Sequence, residues 1–311
     1  MADQDVGEPQ PPENFEEAGG ATGLGPMRPL LRKACGQLPR PVRFRALNAL
    51  DGFERAERLL ETDRAIASFS AINAQEEAAT ALFRALQLQA YPGADRLQPN
   101  SHHHKAAIYP FIDAVRTKFA RDVGGLELNV RLSVKPPTLT ISIPVTALGL
   151  SAPELEGKAL QSVHPLHFAT RKDGRIYHFE EEFAELASGG SRNRIDRFVK
   201  RLANQRNILL YASDQGPPQS RAQLRDIHQR RSSAEALLYL SIAVLQTPLH
   251  QHLAMQGLEA FLKALGAAAG LEITYPPERE PDINFKAKGS EAPPGFPPET
   301  PEKTVNKSGG Q

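Results

Sequence analysis

One acidic residue on an apolar helical stripe constrains this chain most. Between Asp63 and Gln87 the positions Ala65, Phe69, Ile72, Glu76, Ala79, Phe83 and Leu86 follow steps of four and three, which place them on one face of a helix. Every member is apolar except Glu76. A carboxylate on a buried stripe is costly unless it is paired, hydrogen-bonded or protonated. The fold therefore has to bring a partner to Glu76 or leave it on a solvated flank. Glu77 lies one step around the same helix and makes the feature more anionic. The run His102-His103-His104-Lys105 is the first cationic candidate to meet it, and the helical phase predicts His104 or Lys105 as the contact.

Helical stripes recur on either side. Leu47, Leu50, Phe53, Ala56 and Leu60 predict a helix over 42–61, weakened modestly by Gly52. Thr62 or Asp63 can cap the helix that carries the glutamates, and Tyr91-Pro92-Gly93 ends it. Asn100 or Ser101 caps a third helix over 101–122, with His104, Ile108, Phe111, Val115 and Phe119 on its core side and Pro110 as a kink or restart point. Further helices are predicted over 191–212 and 220–246. A last helix opens at Thr247-Pro248 and runs to about Ala269, where Gly270 stops it.

The period changes from 3.6 to 2 after Gly124-Gly125. Leu126, Leu128, Val130, Leu132 and Val134 alternate with polar residues, and so do Leu139, Ile141, Ile143 and Val145 beyond the Lys135-Pro136-Pro137 turn. A second hairpin is expected between His167 and Phe179 around Asp173-Gly174. Because an isolated hairpin is marginal, the four strands are expected in one sheet. The predicted fold is mainly α: an antiparallel helical bundle over 39–275, a small β-hairpin-rich insertion at about 124–182, and disordered termini at 1–38 and 276–311. Those ends are rich in Gly, Pro and charge and poor in apolar residues, which make up 40% of the whole chain.

Composition narrows the function classes. Cys35 is the only cysteine, which excludes an intramolecular disulfide and a thiolate metal cluster and fits a reducing cytoplasm. No apolar run approaches a membrane span and the N-terminus lacks a signal-peptide pattern, so no membrane role is expected. Adjacent helical histidines point about 100° apart and cannot all ligate one ion, so neither metal nor cofactor is predicted. The net charge of +1 conceals a basic block. Arg192, Arg194, Arg197, Lys200, Arg201, Arg206, Arg221, Arg225, Arg230 and Arg231 face only Asp196, Asp214 and Asp226. Such a block suits a polyanion such as RNA, an acidic partner surface, or plain solvation. Arg194, Arg197 and Arg201 share one helix face.

Three segments in this order carry a family resemblance: Arg55-Ala56-Glu57-Arg58-Leu59-Leu60, then Ala71-Ile72-Asn73-Ala74-Gln75-Glu76-Glu77-Ala78-Ala79 followed by His104-Lys105, and finally Ile208-Leu209-Leu210-Tyr211-Ala212-Ser213-Asp214-Gln215-Gly216. The chain resembles the HEPN superfamily, most closely its abortive-infection (AbiV-type) branch. Ala78-Ala79 stands where members often carry Gly-Lys. The resemblance implies a helical domain, often homodimeric, used in antiphage defence. Many members are metal-independent endoribonucleases, and others bind RNA or a partner protein without catalysis. Their Arg-to-His signature maps loosely onto Arg96 with His102 and His103, and onto Arg221 with His228. In a ribonuclease of this kind a histidine among His102, His103 and His104 transfers the proton of the ribose 2′-hydroxyl. Arg96 or the 192–206 helix, including Arg206, holds phosphate, and Glu76, with Glu77 beside it, orients the histidine. The non-catalytic alternative is a helical module that binds RNA or a partner protein.

Overall fold

The computed structural model describes residues 27–122, 129–144, 159–162, 164–168, 171–172, 175–179, 182, 197, 199–201, 204, 206–209, 220, 222–271 and 285–286. The fold is mainly α. Six helices longer than one turn are bounded within these residues: α1 (Arg28–Cys35), α2 (Arg40–Leu59), α3 (Arg64–Leu88), α4 (His102–Asp122), α5 (Leu224–Leu245) and α6 (His252–Ala264). A short 3-10 turn at Ala94–Arg96 separates α3 from α4. The described residues between 197 and 209 are helical as well.

α3 is the central helix. Its sequence pattern predicts one apolar face, yet Ser68, Ser70, Gln75 and Thr80 are buried along with Ala71, Ala74, Ala78, Ala81 and Phe83. The helix is enclosed by α2, α4 and α5 and by the 3-10 turn. Alanine and serine make this possible, because short side chains let neighbouring backbones approach. α2 crosses α3 closely at Gly52, where an added Cβ would lie 2.8 Å from the Ala74 Cβ. Ser70 Oγ donates to the Gly52 carbonyl at 3.1 Å in the same place. Gly52 therefore costs helix propensity and returns interhelical contact.

Both expected caps form. The Asp63 carboxylate accepts from the Ile66 amide at 3.0 Å, and Ser101 Oγ accepts from the His104 amide at 3.3 Å. α4 runs through Pro110. Ile108 and Phe111 bury their side chains in the core, Phe111 against Phe179 and Phe261. The last helix departs from expectation: it starts at His252 and ends at Ala264, leaving Thr247-Pro248 outside.

The strands are antiparallel. β1 (Asn129–Val134) and β2 (Pro137–Pro144) form the first predicted hairpin, with Leu132 opposite Leu139 and both buried. Leu126, Leu128 and Val145, expected at its ends, lie outside the described residues. β4 (Arg171–Lys172) pairs with β5 (Arg175–Ile176) as the second hairpin. The two hairpins do not share one sheet. β3 (Ala159–Ser162) pairs with β2, and β6 (Phe285–Lys286) pairs with β3, giving a four-stranded sheet in the order β1-β2-β3-β6 apart from the β4-β5 pair. The sheet is therefore more than a local insertion, since its outer strand comes from beyond the last helix. Where β2 extends past β3, the Gln246 side chain serves Leu139 instead. Its Oε1 accepts from the Leu139 amide at 2.7 Å and its Nε2 donates to the Leu139 carbonyl at 3.1 Å. That bond pair ties the sheet to the end of α5.

Two further corrections concern the ends. α1 lies within the segment predicted to be a tail and buries Leu31, Ala34 and Cys35, while β6 lies within the predicted C-terminal tail. β6 is too short to show a period of its own, whereas Met27, Leu31, Ala34, Cys35 and Leu38 fall at helical spacing and are buried. They form because a neighbouring surface receives them. Burial pushes the Cys35 thiol up to about 12.

Candidate functional site

Glu76 faces the start of α4. Glu76 is 7% exposed, and its carboxylate meets a histidine and two cations. His102 Nδ1 lies 2.8 and 2.9 Å from the two carboxylate oxygens. Lys105 Nζ lies at 2.9 Å, and Arg206 Nη1 at 3.6 Å. His102 and Lys105 are three apart on α4 and so share the face that looks at α3. His104, two positions beyond His102, points the other way into the core. The predicted alternative of His104 as the Glu76 partner is thus corrected to His102, and Lys105 is the partner as expected.

His104 is buried, and its Nδ1 accepts a long bond of 3.4 Å from the Gln98 amide. Burial, with a smaller contribution from His103, lowers its pKa. His103 stacks edge-on to His104 at 6.3 Å and has no bond to Glu76 among those seen. The three histidines thus face three environments, and only His102 joins the carboxylate.

The His102 side chain remains 46% exposed while its carboxylate and lysine partners are sealed. With Nδ1 donating to Glu76, the neutral imidazole carries its lone pair on Nε2. Arg206 Nη1 lies 3.0 Å from Nε2 and 3.3 Å from Nδ1, so it sits against the ring between the two nitrogens. The Arg206 guanidinium also lies 5.8 Å from the centre of the Phe69 ring. Its Nε is buried and has no hydrogen-bond partner among the described residues. A buried donor in that condition calls for an acceptor.

A polar clamp supports the cluster. Gln75, one residue before Glu76, receives the Tyr109 hydroxyl on its backbone carbonyl and Arg230 Nη1 on its side-chain oxygen at 2.6 Å. α4 and α5 therefore grip α3 at one point. Burial pushes the Tyr109 hydroxyl well above its ordinary pKa, with Arg230 opposing and Glu76 adding to the rise. Burial also lowers the Arg230 pKa. Tyr109 lies four residues after Lys105, and that spacing was the sequence signal for a further polar group on this face.

The other predicted site residues lie elsewhere. Glu77 turns away and pairs with Arg45 of α2 at 3.0 and 3.1 Å. Arg96, expected to hold phosphate beside His102, donates instead to the carbonyls of Ala267 and Ala269 at 2.9 and 2.8 Å. It anchors the turn after α6. Arg197 and Arg201 are exposed on a helical stretch, and Arg194 lies outside the described residues. Arg221 also lies outside them, and His228 lies 3.5 Å from Glu57. Among the described residues no group of acidic, histidine or cysteine side chains is arranged to hold a metal ion, and no helix is long and apolar enough to cross a membrane.

The chain matches no family model, no curated protein and no solved structure.

Proposed function

We propose that the Glu76–His102–Lys105–Arg206 cluster is an RNA phosphate site, and that the chain is a metal-independent endoribonuclease of HEPN, abortive-infection type. The observation that carries this reading is charge surplus at an open histidine. Two permanent cations, Lys105 and Arg206, face one carboxylate, and the exposed imidazole completes the group. An anion entering beside His102 supplies the missing negative charge and an acceptor for Arg206 Nε. Phosphate fits a planar guanidinium because two oxygens match its fork.

The residues divide the work of 2′-hydroxyl attack. His102 Nε2 takes the hydroxyl proton as the ribose oxygen bonds to phosphorus. Glu76 accepts from Nδ1, fixes the tautomer and stabilises the imidazolium that forms. Arg206, with Lys105 behind the carboxylate, stabilises the charged phosphorane. The 5′ oxygen leaves with a proton drawn from solvent as its bond to phosphorus breaks, the His102 imidazolium returns its proton to solvent, and the other product ends in a cyclic phosphate. The exposed Arg197 and Arg201 extend the basic surface beyond the site. A homodimer acting in cytoplasmic antiphage defence completes the proposal.

A binding-only module for RNA or a partner protein is the second reading. It rests on the sealing of the Glu76–Lys105 pair, which suits an anchor as well as a catalyst. Purified full-length chain incubated with end-labelled RNA in EDTA separates the two. Cleavage is expected to survive EDTA, to vanish in His102→Ala and in the triple His102, His103 and His104 to Ala variant, and to persist in His103→Ala. Cleavage unaffected by His102→Ala overturns the catalytic reading. RNA binding that depends on Arg206 without any cleavage supports the second.

A further inference from the structure

At Glu77, α2 and α3 enclose an open groove of about 790 Å³. Arg40, Phe44 and Arg45 line it from α2, and Glu77, Arg84 and Leu88 from α3. Phe44 is 53% exposed and Leu88 is exposed beside it. Large apolar side chains in the open are unremarkable singly, but here they share a groove with arginines. The guanidiniums of Arg40 and Arg43 lie 5.6 and 5.2 Å from the Phe44 ring centre. Arg84 bonds only a neutral acceptor among its described contacts, Gln87 Oε1 at 3.1 Å. Glu77 is the one carboxylate in the lining and is taken by Arg45. The first turn of α2 carries no acid and no side-chain cap, and Arg40 and Arg43 there oppose the helix dipole. An anion would relieve that arrangement.

We infer that this groove binds a single RNA strand, with a base stacked on Phe44 and phosphates on Arg40 and Arg84. Basic grooves with an aromatic platform bind single strands in this way, whatever the sequence. Adjacent residues on α3 point about 100° apart. Glu77 in the groove and Glu76 in the histidine cluster therefore set the two features side by side around one helix. This inference rests on the RNA reading of that cluster and adds the surface that holds the substrate away from the reacting phosphate.

The test is fluorescence anisotropy of the full chain with a labelled 12-nucleotide polyuridine, across a salt series. The charge-reversed double variant Arg40→Glu/Arg84→Glu is expected to bind about tenfold more weakly and to show a salt dependence flatter by about 1.4 in log–log slope, for two phosphate contacts at ~0.7 each. Phe44→Ala is expected to weaken binding about fivefold with the slope unchanged, because stacking releases no counterions. Arg84→Gln supplies a milder variant should the double reversal fail to fold, and is expected to flatten the slope by about half as much. Wild-type affinity in these variants, with binding still lost in Arg206→Ala, overturns the groove and leaves the cluster reading standing. No binding by the wild-type chain at low salt overturns both. Displacement of the RNA by polyglutamate at lower concentration than by unlabelled polyuridine assigns the groove to an acidic peptide and also overturns the inference.

Discussion

Two ionic clusters are built into the helical core, and they are not alike. At the first, Glu76 of α3 meets His102, Lys105 and Arg206. At the second, Glu235 of α5 meets Arg231 at 2.9 Å and Arg28 at 3.0 Å, and Arg231 also reaches Glu57 at 2.9 Å. The second cluster balances two carboxylates with two guanidiniums; Glu235 is 1% exposed, while Glu57 is half-buried and has the exposed His228 3.5 Å away. The first has more cations than carboxylates and opens to solvent through His102. A cluster whose charges balance can hold elements together and offers an anion little. One with an excess of cations is a poorer anchor and better suited to receive an anion.

The comparison breaks most sharply on removing the two glutamates. Glu235→Ala removes the carboxylate, 1% exposed, that Arg28 and the sealed Arg231 share, and is expected to lower stability by about 3–5 kcal/mol in denaturant titration. Glu76→Ala is expected to cost less, ~1–3 kcal/mol, because only Lys105 is sealed while His102 and Arg206 can regain water. Equal losses at the two positions would remove the distinction drawn between them.

Ligand response sharpens the same contrast. Inorganic phosphate at about ten times its dissociation constant is expected to stabilise the wild-type chain by ~1.4 kcal/mol in thermal melts, and to give Arg206→Ala no such gain. A gain that survives Arg206→Ala places the phosphate elsewhere.

The smallest effect is a pH slope at His104. Burial lowers its pKa in the folded chain below that of the unfolded chain, whose ordinary value is about 6.5. The unfolded chain therefore binds a proton that the folded chain refuses, and stability falls as pH drops below about 6.5. His104→Asn is expected to flatten that part of the stability profile relative to the wild type, measured by denaturation at pH 5 to 8. An unchanged slope would mean that His104 is not held neutral.

Much of the fold was legible in the chain. The stripes at 42–61, 63–90 and 101–122 correspond to α2, α3 and α4, and the alternation around Lys135-Pro136 corresponds to the β1-β2 hairpin. Those signals are local, since a period of 3.6 or 2 and a capping side chain act within a few residues. β6 was not legible, because two residues are too few for a period; the stripe of Leu31, Ala34 and Cys35 in α1 was present but lies at the edge of a stretch dominated by Gly, Pro and charge. At the site, Glu76 was legible as a carboxylate in need of a partner. Arg96 was misleading because spacing to a histidine says nothing about which carbonyls a long side chain can reach.

The sequence by itself determined that an acid would lie among apolar residues on a helix, and that a basic helix start would follow it. It also determined that His102 and Lys105 would share a face. Only the tertiary structure decided that this face, and not the one carrying His104, would turn towards α3. That choice depends on the rotation of one helix against another, which is set by packing along their whole length. Arg206 comes from 130 positions beyond Glu76, and Arg28 stands even farther from Glu235. No local spacing encodes such encounters. They arise because the small side chains of α3 let helices close around it, and a closed core leaves each buried charge only the partners that the packing delivers.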